Sequence, residues 1–164
     1  VLYTAVVTRE YHYRVDRDGR IFHDDTEIID PATVRFFVRA MTRTPDGRWL
    51  VVCQGEHNWF AADATPLVAR RLDLDVRDGR LVRASLRLAA DVAEPLDPAT
   101  LHTDGRDVFC LAGRGRHPVR LGRLAAQQLA PFLADHGATV HLRLGERWWP
   151  VVAAAAGQPA LGGS

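Results

Sequence analysis

The chain contains no lysine: all 21 of its Lys-or-Arg positions are arginine. This excludes a phosphate-binding P-loop lysine, Schiff-base chemistry and a lysine general base. Serine is nearly missing too. Ser85 falls inside a strand pattern and Ser164 is the last residue, and neither has the strand–turn–helix setting of a serine hydrolase. The two cysteines, Cys53 and Cys110, have no Cys-x-x-Cys spacing and read as free thiols of a reducing compartment. No apolar run reaches membrane-spanning length, and no signal peptide is legible. The expectation is a cytoplasmic protein with no membrane partner. Val1 is not a methionine, which leaves room for an upstream segment.

The 164 residues suit one compact domain or two small halves sharing a core. A chain of this size buries about 70% of its unfolded surface and needs neither disulfide nor metal for stability. Composition is ordinary, 47% apolar and 25% charged. A net charge of +1 argues against a strongly basic nucleic-acid footprint.

Four segments read x-Asp-Gly-Arg, ending at Arg20, Arg48, Arg80 and Arg106. Asp-Gly supplies the positive-φ residue of tight hairpin turns. At Asp78-Gly79, a three-residue loop sets Leu74 opposite Val82 and keeps each face chemically uniform, so that register is expected. The same geometry in the first hairpin, Tyr11 to Asp25, sets Val15 opposite Ile21, Tyr13 opposite His23 and His12 opposite Asp24. Asp30-Pro31 opens a first helix, with Val34, Phe37, Val38 and Met41 inward. Asp97-Pro98 repeats the signal but promises only a short turn. A second helix is expected from about Gly122 to His136, kinked or restarted at Pro131 and ended by Gly137.

Hairpin, helix and Trp-bearing strand thus follow one another twice, over 11–52 and 108–152. The expected class is α+β, mainly antiparallel sheet built from two related ββαβ halves with two principal helices. The expected organisation is an N-terminal extension (1–8) and a compact body (9–152). Within the body, pseudo-repeats at about 9–65 and 105–152 are joined by a central hairpin region (66–104). A flexible tail (153–164) follows.

The run Arg9-Glu10-Tyr11-His12-Tyr13-Arg14-Val15-Asp16, followed by Gly19, Phe22 and Asp24-Asp25, resembles the opening of uncharacterised protein family 0598 (domain of unknown function 4505). Cys53, Glu56, Asn58 and Trp59 are similar to that family's Cys-x-x-Glu-x-Asn-aromatic segment, with Pro66 beyond. Asp97-Pro98-Ala99, Gly105 and Arg106 extend the likeness. Gln54-Gly55 and His57 depart from the family pattern. The resemblance implies no activity. More loosely, the layout is similar to another family of unknown function whose second half looks pleckstrin-homology-like, an analogy of fold alone.

Polar chemistry gathers at Cys53–Trp59. Cys53 and His57, with Asn58 as orienting amide, could form a nucleophilic pair; a buried thiol and a turn explain the same residues more plainly. His12, His23 and Asp24 could hold zinc or manganese, against a simple cross-strand pair. Arg114, Arg116, Arg120 and Arg123 could clasp an anion, against a solvated strand face. Trp49, Trp59, Phe60 and Trp148 could line an aromatic pocket or belong to the core.

The chain therefore reads as a non-enzymatic binding module, without a cofactor. A polar cleft between its halves is expected to bind a small polar ligand or protein segment. Asp24, Asp25, Glu56 and Asn58 supply the polar groups and Trp59 an apolar wall. The alternatives are a hydrolase or transferase using Cys53 and His57, and an arginine-mediated binder of phosphate-bearing partners.

Overall fold

A computed structural model describes residues 8–154 of the chain. Strands β1 (Glu10–Val15) and β2 (Ile21–His23) form the first hairpin. Its loop closes through Gly19 N–H to Asp16 O at 3.0 Å, and Val15 faces Ile21 and Tyr13 faces His23, as expected. A turn at Asp24-Asp25, with Asp24 at φ 52°, leads to β3 (Thr26–Glu27). The ladder between the first two strands ends at Tyr13–His23, so Asp24 lies in this turn rather than opposite His12.

Helix α1 (Pro31–Ala40) starts where its capping signal predicts. The Asp30 carboxylate accepts from Thr33 N–H at 2.9 Å, and Val34, Phe37 and Met41 are buried. Strands β4 (Thr42–Arg43), β5 (Trp49–Cys53) and β6 (Glu56–Ala62) then form an antiparallel meander. Strand β6 returns to lie parallel to β1, which completes a six-stranded sheet in the order β3-β2-β1-β6-β5-β4.

The central region supplies β7 (Val68–Ala69), β8 (Arg71–Arg77), β9 (Arg80–Arg87) and β10 (Ala93–Pro95). Here the expected register is corrected. Asp78 and Gly79 both have positive φ and form a two-residue turn, and a bulge leaves Val82 unpaired. Leu74 therefore faces Ala84. The bulge lets Leu81, Ala84 and Leu86 all point into the core while Val82 stays 41% exposed. An unbulged ladder of either loop length would have turned one of these leucines outward.

Beyond a short 3₁₀ turn at Pro98–Thr100 come β11 (His102–Thr103), β12 (Val108–Ala112) and β13 (His117–Leu121). Helix α2 (Arg123–Leu129) is shorter than expected. Pro131 lacks the N–H a continuing helix requires, and after a 3₁₀ turn the chain becomes β14 (Leu133–His136). Gly137 accordingly belongs to a hairpin turn, not a helix end. Strands β15 (Thr139–Leu144), β16 (Arg147–Pro150) and β17 (Val152–Ala153) complete the described chain. The expected tail lies almost wholly outside the described residues.

The class is α+β, dominated by antiparallel-rich sheet. Both ends run hairpin, helix, three-stranded meander, yet they are wired differently. The first meander joins its hairpin's sheet through β1 and β6, whereas β14-β15-β16 stands as its own sheet. Trp49 and Trp148 are not equivalent: Trp49 sits on the middle strand of its meander and Trp148 on the last. One contiguous core unites all the sheets, from Val15, Phe37 and Trp49 to Leu72, Leu86, Leu129 and Leu142. Among the described residues, no helix is long and apolar enough to cross a membrane.

Candidate functional site

The polar stretch at Cys53–Trp59 is a hairpin rather than a loop. Gln54 (φ 51°) and Gly55 (φ 79°) make the two-residue turn, and Glu56 onward is strand β6. Strand alternation then sorts the candidate residues. Cys53 pairs with Glu56, so both lie on the face that also carries Asn58 and Phe60. His57 pairs with Val52, and it shares the opposite face with Trp59. Cys53 and His57 are therefore divided by the sheet and cannot act as a nucleophile–base pair.

Asn58 is 6% exposed, and its amide donates to Val51 O at 3.1 Å across the hairpin. It is a satisfied core amide with little reach toward a ligand. Asp24 and Asp25 lie in the turn beyond β2, and β1 stands between β2 and β6. The expected ligand set is thus split: Glu56 and Asn58 on one face, Trp59 on the other, and the aspartates in a turn on the far side of β1. The metal set divides in the same way. His12 shares Trp59's face and His23 shares Tyr13's, and no cluster of metal-binding side chains occurs among the described residues.

Of the aromatic set, Trp49, Trp59 and Phe60 line one cavity of about 430 Å3, and Trp148 does not. Trp49 and Phe60 belong to the core, and Tyr13 stacks on Phe60 with ring centres 5.1 Å apart. Trp59 is half-buried on the outer face under the Arg48 guanidinium, 4.1 Å from its ring centre. Trp148 lies on β16 against His136.

The arginine run is likewise dispersed, and its strand is not the solvated face expected. Pro118, Val119, Arg120 and Leu121 are all buried in β13. Arg114 and Arg116 sit in the β12–β13 turn, where Arg116 pairs with Asp97 at 3.0 Å. Arg120, 3% exposed, donates to the carbonyl of Arg17, and its Nε has no partner among the described residues. Burial and the neighbouring Arg17 charge lower its pKa. Arg17 in turn bridges Asp63 and Asp107, each at 2.7 Å. Arg123 opens α2.

What the fold does assemble is a cavity of about 600 Å3 where the α1–β4 junction, the β12–β13 hairpin and the central region meet. The end of α1 and the start of β4 contribute Arg39, Met41 and Thr42. The β12–β13 hairpin contributes Arg114, His117 and Val119, and the central region Leu67, Leu88 and Glu94. Met41, Leu67, Leu88 and Val119 form an apolar floor, and Glu94, His117 and the two arginines are its polar groups. The His117 ring packs edge-on to Trp49, with centres 5.2 Å apart. Burial pushes the His117 pKa down, aided by the nearby Arg43 charge and opposed by the Met41 backbone, so the imidazole is neutral at pH 7. A neutral ring offers one donor and one acceptor. In sequence His117 is masked by the arginines around it, and Glu94 carries no motif. The pairing of β12 with β13 beside α1 reveals His117, and the pairing of β10 with β9 reveals Glu94.

No family model matches the chain. Its fold is similar to two solved structures. A DUF1285 family protein from Silicibacter pomeroyi DSS-3 superposes with a TM-score of 0.64 at 18% identity, over 88% of this chain and 83% of that one. A DUF1285 family protein from Shewanella baltica OS155 gives 0.52 at 12% identity, over 68% and 84%. The likeness is one of fold.

Proposed function

We propose that this chain is a non-enzymatic binding module whose ligand occupies the cavity between its halves. One observation carries the reading: two sequence-distant units and the segment joining them contribute a hydrophobic floor and convergent polar groups to one space of about 600 Å3. Pockets that hold small molecules are of this size and character. His117 and Glu94 hydrogen-bond the ligand's polar end, Arg39 and Arg114 flank its entrance, and the leucines and Met41 receive its apolar part. The ligand class is a small amphipathic polar molecule. This keeps the expected inter-half cleft and replaces its residues: Asp24, Asp25, Glu56, Asn58 and Trp59 are not its walls.

The test is NMR observation of the labelled protein against a library of small carboxylic acids, amides and alcohols. Binding is expected to shift His117, Val119 and Leu88 resonances together, and the His117→Gln/Glu94→Gln variant is expected to lose it. Shifts confined to the Trp59 face, or binding indifferent to both substitutions, would reject the proposal.

Two finer readings belong with it. Common descent of the two hairpin–helix–meander segments, with a pleckstrin-homology-like second half, rests on the repeated element order. Kinship with uncharacterised protein family 0598 rests on the motifs at Arg9–Asp16 and Cys53–Trp59.

A further inference from the structure

We propose a second, separate binding site, for the phosphate group of a small phosphate monoester, where Arg20, Arg70 and Arg123 surround a cavity of about 370 Å3. The three arginines are remote in sequence, and the backbone brings them together. Each one directly follows a residue at or against strand β7. Arg70 continues from Ala69 at that strand's end. Arg20 follows Gly19, where an added Cβ would sit 3.1 Å from the Val68 side chain. Arg123 follows Gly122, whose N–H donates to Ala69 O at 2.9 Å and where an added Cβ would lie 2.9 Å from that same oxygen. Close approach at two glycines therefore fixes three guanidinium stems around one point.

Their charges are only partly spent. Arg20 Nε holds Asp16 at 2.7 Å, which orients the side chain. Arg70 Nε donates to the Asp18 carbonyl at 3.0 Å, leaving both terminal nitrogens free to donate. Among the described residues, neither Arg70 nor Arg123 pairs with a carboxylate. Among the described residues Asp18 is the single acid lining the space, and its nearest oxygen lies 3.8 Å from Arg20. Arg20 is offset by Asp16 and Asp18, but Arg70 and Arg123 leave a net positive charge that attracts a dianion, and guanidinium forks match phosphate oxygens bidentately. Gln127, also on the lining, supplies a neutral amide for a neighbouring hydroxyl, and Val68 an apolar contact. The space suits a small molecule bearing one phosphate.

Calorimetry with inorganic phosphate and with glycerol 3-phosphate tests this at 20 mM and 500 mM NaCl. The proteins compared are the wild type, Arg70→Ala/Arg123→Ala and, as a remote control, Arg77→Ala/Arg80→Ala. The wild type and the control are expected to bind glycerol 3-phosphate equally, and the Arg70/Arg123 variant at least tenfold more weakly. Binding is expected to weaken at high salt. Should the double variant melt below the wild type, exposed Arg123→Ala alone is the decisive protein, expected to lose at least threefold. Equal affinity in wild type and variants overturns the proposal. So does failure of glycerol 3-phosphate to bind, or binding only of a single-stranded oligonucleotide included as a parallel titrant. His117→Gln leaves this binding unchanged, which separates its failure from that of the inter-half cavity.

Discussion

Asn58 shows how far a residue's role depends on which face of a strand it occupies. In sequence it is one polar residue among four; in the fold its amide is sealed inside, bonded to Val51 O. Asn58→Ala is expected to cost roughly 1–3 kcal/mol, because the cross-strand bond is lost and a carbonyl is left buried without it. Urea denaturation measures the cost. The thiols divide in a similar way. Burial pushes Cys110 up to about 12, while Cys53 is only partly covered. Titration with a thiol reagent at pH 8 is expected to label one cysteine per native chain and the second only on unfolding.

His117 sets a pH dependence whose sign is fixed by burial. Its folded pKa lies below its ordinary 6.5, so the unfolded chain binds the proton first as pH falls. The stabilisation is complete above about pH 6.5 and is lost progressively below it, through the folded pKa. Melting temperatures between pH 7.5 and 5 should show this slope in the wild type and a flatter one in His117→Phe. The carboxylates Asp16 and Asp104, held low by hydrogen bonds to backbone N–H groups, act in a more acid range. The residue types of these sites were legible in the sequence. Their sorting between faces was not, because a two-residue turn at Gln54-Gly55 and a loop of three to four residues read alike without coordinates.

Elements were most legible where a local signal settles them. Asp30-Pro31 capped α1 as expected, and the first hairpin took the register its Gly19 loop demands. The failures came where two local rules compete. At Asp78-Gly79 the turn prefers two residues and the core prefers uniform faces; the bulge at Val82 satisfies both. Gly79 sits at φ 72°, and Gly79→Ala is expected to destabilise by about 1–2 kcal/mol, with no change in fold by circular dichroism. In α2, helical spacing continues past Pro131, but the missing N–H and the pairing of β14 with β15 decide against it. Propensity there yields to tertiary pairing.

For the whole molecule, the first hairpin's loop is the join between the six-stranded and five-stranded sheets. Arg17 reaches Asp63 beyond β6 and Asp107 before β12, while its carbonyl receives Arg120. The ion pairs are partly exposed, so a double-mutant cycle on Arg17 and Asp107 is expected to give a coupling of only about 1 kcal/mol or less. These contacts tie the loop to both sheets. The α+β class and two-ended layout could be anticipated from spacing; the route by which the ends meet could not, since nothing local tells β7 to lie beside β13.

The parallel union of β1 with β6 also bears on how the polypeptide matures. Strand β1 finds its second neighbour only after about fifty further residues have been synthesised, and β7 waits as long for β13. Such long-range closures slow folding toward the millisecond-to-second range and leave edges open meanwhile. A nascent chain halted just short of β6 would expose the aromatic face that Tyr13 and Phe37 later share, a natural landing place for a chaperone.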